Sequence, residues 1–477
     1  MPFLKKLRRI VLIFLLLFAG GLVALWYVAR HADMFFPEIV DGSGEGLYWG
    51  RTPNELLRYA KKRLSGHTRL ELAALPVLDA VERRYARPVE GVLDTLGKGQ
   101  REVPGDIALP ADIHVGSAEE LAQAMRAARP GQTIEILPGR YEIRKRLDTG
   151  TAGGAGSPIT VRAARTGEVV LLARDVSATI KVSKPYWIFE NLDFEGACQE
   201  DRYCDHAFHV VGEARHTIIR NNRMLDFNAH VKVNGEGGAW PDEGLLQFNT
   251  LLGRRPRDTL LSVTFFDLVG ANGWRVEDNL IARFVKSDGN RVSYGMFMKG
   301  NSRGGVIERN LIICTPEAIS RPGVRVGISL GGGGTVEALC RDGDCRFEHR
   351  SARVANNIVA HCNDSGIDVF KSSSILIAHN TLINTSGIDV RGAESSARIA
   401  GNLLEGSIRS RHGALIRQER NEIGDLRGLF LDADALSLSW SGTRNPVEGI
   451  AEVTTDFCGQ ARGLAGFLGA SSSSGGC

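Results

Sequence analysis

Asparagine recurs along this chain in one local context, and this repeat constrains the fold more than any other feature. Each Asn follows a short run rich in β-branched residues and precedes a further apolar pair, which predicts a corner between two strands. Asn suits a corner because it tolerates left-handed backbone and bonds its own turn. The intervals run from 22 to 47 residues, and the positions are Asn191, Asn222, Asn249, Asn279, Asn310, Asn357, Asn380 and Asn402.

A constant local signature at uneven spacing is typical of a parallel β-helix, whose coils share a core but differ in loop length. Amide side chains that stack from turn to turn can also form a ladder. The alternative is a set of unrelated Asn turns in a β-sandwich, and eight matches in one context count against it. The sequence therefore predicts an all-β solenoid.

Composition limits both the fold classes and the classes of partner that suit this chain. With 56 glycines and only 7% aromatic residues, the chain suits tight turns and flat stacked strands better than a helical bundle. The formal net charge is +3, so no global basic field points to nucleic acid as a partner. An acidic ligand would have to be bound by a local groove, and a monomer is expected.

The N-terminus predicts a membrane anchor. Residues 10–28 carry no charged side chain, and a basic cluster precedes them. A helix of this length spans roughly 28 Å, about the hydrocarbon core of a bilayer. The basic residues place the tip in the cytoplasm, so the bulk of the chain is expected in the periplasm, tethered to the inner membrane. A cleavable signal peptide is the alternative, although no A-x-A site follows the apolar run.

The eight cysteines indicate an oxidising compartment. Two short loops are each bracketed by a cysteine pair, and two further cysteines follow corner asparagines by similar distances, which predicts neighbouring coils. Zinc is the alternative, but the C-x4-C and C-x5-C spacings are wider than the usual C-x2-C zinc knuckle. The predicted disulfides are Cys198–Cys204, Cys340–Cys345, Cys314–Cys362 and, in the tail, Cys458–Cys477.

These patterns divide the chain into four segments. Residues 1–30 form the anchor, 31–110 a helical juxtamembrane region, 111–413 the β-helix, and 414–477 a C-terminal coil and tail. One long interval of the repeat contains the glycine-rich sequence SLGGGGTVEALCRDGDCRFEHR, an insertion closed by its own cysteines. Long excursions from a solenoid usually lie on its binding face.

A helix is predicted at the start of the solenoid. Ser117 and Glu120 form a capping box, and Leu121, Met125 and Ala128 then recur at helical spacing. Such an amphipathic helix would cover the exposed apolar end of the first coil, which needs a cap.

Three segments carry a resemblance to a known family: LPGRYEI, GSPITVRAARTGEVVLLA and YWIFENLDFEG. Together they resemble the opening coils of the chondroitinase B and alginate lyase type of polysaccharide lyase. The resemblance covers roughly residues 113–410 and concerns mostly the scaffold. It implies a right-handed parallel β-helix that cleaves uronate polymers by β-elimination. It also implies a Lys base, an Arg one coil further on that assists the leaving oxygen, and calcium that binds the substrate carboxylate.

The spacing from each corner Asn predicts which residues share a column. Lys371 and Arg391 follow two similar GIDV strands, so they are expected about one coil, or ~4.8 Å, apart. Lys299 and Asp267 fall in the same column by their distance from the next corner. Lys299, Lys371 and Arg391 are therefore the candidate catalytic residues, and which Lys is the base stays open. The alternative is that these are solvated charges at strand ends.

Further acidic and basic residues extend this predicted groove. Asp368 and Asp389 alternate outward from the GIDV strands and, with Asp267, are candidates for substrate binding. The family Arg is usually followed by His-Gly, a tripeptide that begins here at Arg411 rather than at Arg391. Arg411 is therefore a further binding candidate. Asp364 is the nearest counterpart of the family's calcium ligands.

Histidines form a second constellation. His209 and His230 are expected to stack on adjacent coils, where with Asp242 or Glu243 they could bind substrate, hold a metal or act as a base. The alternative is that each is a structural histidine within a strand.

Three functions are compatible with these residues. The first is a membrane-anchored lyase that faces the periplasm and cleaves an acidic, uronate-containing polysaccharide. The second is a uronate C5-epimerase, which forms the same carbanion but reprotonates it, although no Asp-Pro-His-Asp motif is present. The third is a non-catalytic scaffold that binds glycan during polysaccharide export.

Overall fold

The computed structural model describes residues 68–85, 96–102, 110–315, 323–332, 335–426 and shorter stretches up to residue 471. The chain divides into two compact units, residues 1–85 and 86–477. Helix Thr68–Tyr85, which contains Pro76, belongs to the first unit. The second unit is mostly β, with three parallel sheets stacked as a β-helix.

The predicted anchor at residues 10–28 lies outside the described residues. None of the described helices has the length and apolar character needed to span a membrane.

Sheet 1 has twelve strands, and each pairs with the corresponding strand of the next coil. In order these are Ile113–Val115, Thr133–Ile136, Ile159–Ala163, Trp187–Glu190, Ile218–Arg220, Leu245–Gln247, Arg275–Glu277, Val306–Glu308, Arg353–Ala355, Ile375–Ala378, Ser396–Ala400 and Leu415–Glu419.

Sheet 2 has eleven strands that follow the corner after sheet 1. They are Gly139–Ile143, Val169–Ala173, Asp193–Gly196, Arg223–Leu225, Thr250–Leu252, Leu280–Ala282, Leu311–Ile313, Ile358–Ala360, Thr381–Ile383, Leu403–Leu404 and Glu422–Ile423.

Sheet 3 has ten strands and includes the longest strands of the coils. They are Leu147–Asp148, Ala178–Val182, His206–Val211, Ala229–Asn234, Val263–Val269, Val292–Lys299, Val324–Leu330, Ile367–Phe370, Gly387–Arg391 and Ser407–Arg411. A small fourth sheet of Ser302–Arg303, His349–Arg350 and Ser372–Ser373 forms between sheets 3 and 1. Two short antiparallel pairs follow the last coil: Phe430–Asp432 with Ser437–Trp440, and Val447–Glu448 with Ala465–Gly466.

Apolar side chains fill the inside of the coils because alternate strand residues point inward. On sheet 3 one inward column consists of register partners that are all fully buried: Phe208, Val231, Phe266, Met296, Ile328, Ile367 and Ile388. Burial of apolar surface stabilises by about 25 cal/mol per Å². The same residues that hold the coils together thereby fix which side chains point outward.

The predicted cap is present as helix Ala118–Ala127. The Ser117 side chain accepts a hydrogen bond from the backbone N–H of Glu120 at 3.1 Å, and the Glu120 carboxylate accepts one from Gly116 at 2.7 Å. Leu121 and Met125 are buried against the first coils, so the helix covers their apolar end.

An asparagine ladder runs along the corner between sheets 1 and 2. Except at the last position, each Asn side-chain amide donates to the carboxamide oxygen of the Asn on the next coil at 2.8–3.1 Å, and also to a backbone carbonyl of the preceding coil. The same oxygen accepts the backbone N–H of the preceding ladder residue. The ladder residues are Asn222, Asn249, Asn279, Asn310, Asn357, Asn380, Asn402 and Asn421.

The structure corrects two details of this repeat. The left-handed residue is the one before the ladder Asn, as in Asp278 (φ 57°), Arg309 (φ 56°) and His379 (φ 53°). Asn191 is likewise left-handed (φ 63°) and bonds Asn221 rather than the ladder. The ladder position is therefore selected for its buried amide, which closes bonds to two neighbouring coils, and not for left-handed backbone.

The terminal segments of the second unit pack on the outer face of sheet 2. That face is apolar, with Leu311, Ile358 and Leu403 buried against Leu96 and Phe457. Lys98 fixes the first of these segments through its amine, which contacts Asp278 at 2.7 Å and the carbonyl of Phe457. Burial lowers the pKa of Lys98, although the contact with Asp278 opposes this shift.

Three predicted disulfides are present: Cys198–Cys204, Cys314–Cys362 and Cys340–Cys345. Cys314 and Cys362 lie one and two residues beyond neighbouring strands of sheet 2, which is close to the shared coil position that their spacing predicts. Cys477 lies outside the described residues, so its pairing with Cys458 stays a prediction.

Replacement of Asn310 by Ala should destabilise the protein by about 1–3 kcal/mol, because it leaves buried donors and acceptors unpaired on three coils. Chemical unfolding of Asn310→Ala against the wild type measures this change. Asn290→Ala is the matched control, since Asn290 is exposed in a loop. Equal losses in both variants would contradict the role of the ladder.

Candidate active site

The outer side of sheet 3, which we call the charged face, collects most of the predicted site residues. Its first column runs along successive strands through register partners. These are Asp148, Lys181, His209, Lys232, Asp267, Phe297, Ser329, Asp368, Asp389 and Arg409. A second column, two residues further along each strand, contains Asn234, Val269, Lys299, Phe370, Arg391 and Arg411.

The predicted single column is therefore split in two. Asp267 lies in the first column and pairs with Phe297. Lys299 lies in the second column and pairs with Val269, two residues after Asp267 on the same strand. Lys299 and Arg391 share the second column but lie three strands apart, or about 14 Å. Counting from the corner Asn missed this offset because the corners between sheets 1 and 3 differ in length.

Lys371 and Arg391 come from neighbouring coils but not from equivalent positions. Arg391 pairs in register with Phe370, and Lys371 lies one residue beyond the strand, where its backbone is left-handed (φ 50°). Both cations lie near the Phe370 ring, with the Arg391 guanidinium 4.1 Å and the Lys371 amine 5.9 Å from its centre. Phe370 therefore contacts both predicted catalytic cations.

Carboxylates of the preceding coil neutralise the arginines at this end of the face. Arg391 donates two hydrogen bonds of 3.0 Å to Asp368, and Arg411 binds Asp389 in the same bidentate manner. Arg409 also lies within ion-pair distance of Asp389. Burial raises the pKa of Asp368, and the bonds from Arg391 oppose this rise.

Lys299 is in a different environment. Its amine lies 4.3 Å from the centre of the Phe297 ring and forms no ion pair with a described residue. Burial lowers the pKa of Lys299; the positive charge of Lys232 lowers it further, whereas Asp267 and Glu348 oppose the shift. The charged form of Lys299 is thus disfavoured, so a larger fraction of this amine is neutral and able to accept a proton at a given pH.

Tyr294 packs against the same aromatic ring. The centres of the Tyr294 and Phe297 rings are 5.4 Å apart, in an edge-to-face arrangement. Burial raises the pKa of Tyr294 above its ordinary value; the charge of Asp368 adds to this and that of Arg391 opposes it. Lys299 and Tyr294 therefore flank Phe297 with their pKa values shifted in opposite directions.

Lys232 and Asp267 form an ion pair beside this group. The Lys232 amine contacts Oδ2 of Asp267 at 2.8 Å, and Asp267 is only 4% exposed. Oδ1 of Asp267 is buried and has no hydrogen-bond partner in the described part of the chain.

Two excursions meet at the edge of the charged face, and we call this contact the bridge. Residues 235–242 leave the coil of strand Ala229–Asn234, and residues 335–345 leave a coil three strands further on. Arg341 donates two hydrogen bonds, of 2.8 and 3.0 Å, to Asp242, and a third of 3.1 Å to the carbonyl of Gly270. The indole of Trp240 packs beside Gly270, where a Cβ would clash with its ring.

Contacts near the bridge hold the insertion that follows strand Val324–Leu330 against the end of the strand that carries Lys299. The backbone N–H of Arg341 donates to the carbonyl of Gly300, which follows Lys299 directly. Glu348 accepts hydrogen bonds from the N–H of Gly300 at 2.8 Å and from the hydroxyl of Thr335 at 3.1 Å. The insertion is thereby fixed next to Lys299, at the edge of the charged face.

The predicted histidine constellation is not formed. His209 pairs in register with Lys232, and its ring bonds the Asn234 carboxamide at 2.8 Å. His230 is fully buried inside the coil, with its ring 4.0 Å from that of Phe265. His230 therefore does not lie on the charged face as predicted, because its ring packs in the core against Phe227 and Phe265. Burial lowers the pKa of His230 to about 3 and that of His209 to about 4.

The described carboxylates offer no ready calcium site. No group of three or more His, Cys, Asp or Glu side chains among the described residues could hold a metal ion. Asp364 accepts hydrogen bonds from the N–H and hydroxyl of Ser365. Asp368 and Asp389, the nearby acidic pair, are bound by arginines on both oxygens. These residues do not fit a calcium ion, and a calcium requirement stays a prediction.

Sequence reasoning missed Lys232, Tyr294 and the Asp242–Arg341 contact. The alternation in AHVKVN marks Lys232 as outward-facing, so this residue could have been found. Tyr294 precedes Gly295 in a long strand and carries no such pattern. The contact between Asp242 and Arg341 joins residues 99 positions apart, which no local pattern indicates.

Comparison of the sequence with protein-family models and with curated proteins gives no match. Among solved structures, a pectate lyase aligns with a TM-score of 0.49 at 15% identity, over 77% of this chain and 97% of that chain. An alginate lyase from Paenibacillus sp. str. FPU-7 gives 0.35 at 16% identity, over 65% and 98%. A PL6 family polysaccharide lyase from Pseudopedobacter saltans gives 0.33 at 14%, over 71% and 98%. The parallel β-helix that the three sheets form resembles these lyases at low sequence identity.

Loss of the Arg341 side chain should release the bridge, because it removes the two hydrogen bonds to Asp242 that join the excursions and the one to Gly270. We expect faster amide hydrogen exchange in residues 235–242 and 335–345 of Arg341→Ala, with the sheets unchanged. Arg346→Ala is the control, since Arg346 is exposed and its contacts, with Asp344 and the ring of Phe347, stay within its own loop. Unchanged exchange in Arg341→Ala would show that the bridge is held by other contacts.

Proposed function

We propose that this protein is a polysaccharide lyase that cleaves an acidic, uronate-containing polymer by β-elimination on the charged face. One observation carries the proposal: Lys299 and Tyr294 flank Phe297, and their pKa values are shifted in opposite directions. Pairs of titratable groups whose environments separate their pKa values are characteristic of acid–base sites.

The chemistry of β-elimination requires such a pair. The proton α to a uronate carboxylate is weakly acidic, so its removal needs a positioned base and positive charge near the carboxylate. The C–H electron pair then forms the double bond, the bond to the glycosidic oxygen breaks, and that oxygen takes up a proton. In our proposal Lys299 accepts the α proton and Tyr294 donates to the leaving oxygen, so no water is consumed.

Positive charge for the polymer is available on both sides of this pair. Lys181 and Lys232 lie in the first column toward the N-terminal coils, and Arg391, Arg409 and Arg411 lie toward the C-terminal coils. The carboxylates that already bind these groups hold their side chains in place. A uronate polymer that follows the face could contact them in succession and compete with Asp368 and Asp389 for the arginines.

Lys299 is favoured over Lys371 as the base for an electrostatic reason. Burial and the positive charge of Lys232 lower the pKa of Lys299, which favours its neutral, proton-accepting form. Lys371 lies at a corner beyond its strand and is suited to bind a substrate carboxylate.

The substrate screen uses the full-length protein with several acidic polysaccharides, each with and without a chelator. Unsaturated product, seen by its ultraviolet absorption, supports the lyase. Solvent deuterium in an uncut polymer would indicate the C5-epimerase instead, and binding with neither signal would indicate a glycan-binding scaffold. Loss of turnover with chelator would establish the calcium requirement.

Lys299→Ala should lower kcat by about 10²–10⁴-fold, the usual effect of losing a general base, and Tyr294→Phe should lower it comparably. In the wild type kcat/KM should rise with pH through the lowered pKa of Lys299 and fall at alkaline pH as Tyr294 ionises. Tyr294→Phe should lose the alkaline fall. Lys184→Ala, outside the charged face and paired with Glu213, is the control. Full activity of Lys299→Ala on a confirmed substrate would exclude Lys299 as the base.

The protein is also proposed to be anchored in the inner membrane through residues 10–28, with the β-helix in the periplasm. The basic cluster before this segment supports the orientation, and three disulfides suit an oxidising compartment. N-terminal sequencing of the protein purified from membranes should find the start before residue 10. A mature chain that begins after residue 28 would contradict the anchor.

A further inference from the structure

Asp267 is an unusual carboxylate. It is 4% exposed, and one oxygen, Oδ2, accepts a contact from the Lys232 amine at 2.8 Å. The other oxygen, Oδ1, is buried with no hydrogen-bond partner among the described residues. A buried polar atom without a partner is costly and rare, so each one calls for an explanation.

The position of Oδ1 suits a second cation. A carboxylate can accept bonds on both oxygens, and Lys232 uses only one of them. The first column places Asp267 next to Phe297, and the amine of Lys299 lies over the ring of Phe297. Lys299 is therefore the cation on the adjoining strand that is closest to Asp267 by register.

Other charged groups near Lys299 are already engaged. Glu348 accepts hydrogen bonds from Gly300 and Thr335. Lys232 repels the Lys299 ammonium, and Tyr294 packs edge-to-face against Phe297. The flexible four-carbon stem of lysine allows the amine to move from the ring toward a carboxylate.

We propose that Asp267 is a positioning residue for Lys299, and that its unpaired Oδ1 receives the Lys299 ammonium each time the amine has taken a proton. This rests on the proposed function and deepens it. Before proton transfer the neutral amine lies over Phe297, and after transfer the new ammonium is drawn to the carboxylate. The movement takes the proton away from the carbanion, which otherwise could recapture it.

The proton balance of the cycle is closed. The α proton passes from carbon to Lys299, and the proton of Tyr294 passes to the glycosidic oxygen as the C–O bond breaks. Transfer of the Lys299 proton through solvent to the Tyr294 phenolate then restores both groups. Neither an oxidant nor a reductant is required.

The test measures the pKa of Lys299 directly, on the full-length protein without substrate. Competitive labelling with acetic anhydride over a pH series, read by mass spectrometry of the peptide that contains Lys299, gives its titration. Asp267→Asn should move this titration to lower pH, since it removes the negative charge and leaves Lys232 unpaired. Lys232→Met should move it to higher pH, since it removes the repelling cation and frees Asp267.

Two further variants complete the design. Asp267→Glu keeps the charge and should restore the titration toward that of the wild type. Asp148→Asn, four strands away in the same column, should leave it unchanged. A purely structural role for Asp267 would alter the melting temperature of Asp267→Asn without opposite shifts in the Asn and Met variants.

Titrations that do not move, or that move in the same direction in Asp267→Asn and Lys232→Met, would overturn the proposal. If Asp267→Asn does not fold, Lys232→Met decides alone, because an unmoved titration there contradicts the coupling. These outcomes are separate from the substrate screen, since labelling needs no turnover. On a confirmed substrate Asp267→Asn should lower kcat and leave KM unchanged.

Discussion

The hydrogen-bonded stacking of one coil on the next is the constraint on which the rest of the structure depends. The asparagine ladder from Asn222 to Asn421 fixes the register at one corner, and the strands of all three sheets inherit it. Because strand residues alternate, a fixed register also determines which side chains reach the outside. Residues far apart in sequence, such as Lys181 and Arg411, thereby fall on one face at intervals of about 4.8 Å.

Electrostatic environment then differentiates residues of similar type on that face. Arg391 and Arg411 are each held by a carboxylate of the preceding coil and remain cations. Lys299 contacts an aromatic ring where those residues contact a carboxylate. Burial therefore lowers the pKa of Lys299 without a directly bound counterion to offset it. This difference, rather than the presence of lysine and arginine as such, makes one position suited to proton transfer and the others to binding.

The sequence predicted the coils and the outward residues but not the environment of each residue. The repeat, the capping box at Ser117 and the short cysteine loops are local patterns, and they predicted elements that the structure contains. Lys371 and Arg391 were assigned to equivalent positions because GIDV recurs, but Lys371 lies in a left-handed corner beyond its strand. His230 could not be recognised as buried, because its position depends on packing against Phe227 and Phe265 inside the coil. Tyr294 and the Asp242–Arg341 contact depend on tertiary packing, which the sequence does not display.

Burial therefore has two roles in this account: it stabilises the coils and it adjusts the ionisation of the residues proposed to react. The central claim is elimination by a neutral Lys299, and the masses of the fragments test it most directly. Mass spectrometry of a defined oligosaccharide after treatment with the full-length protein should give fragments whose masses sum to that of the intact chain, with Lys299→Ala giving none. Fragments that together exceed the intact chain by the mass of one water would show hydrolysis and contradict the account.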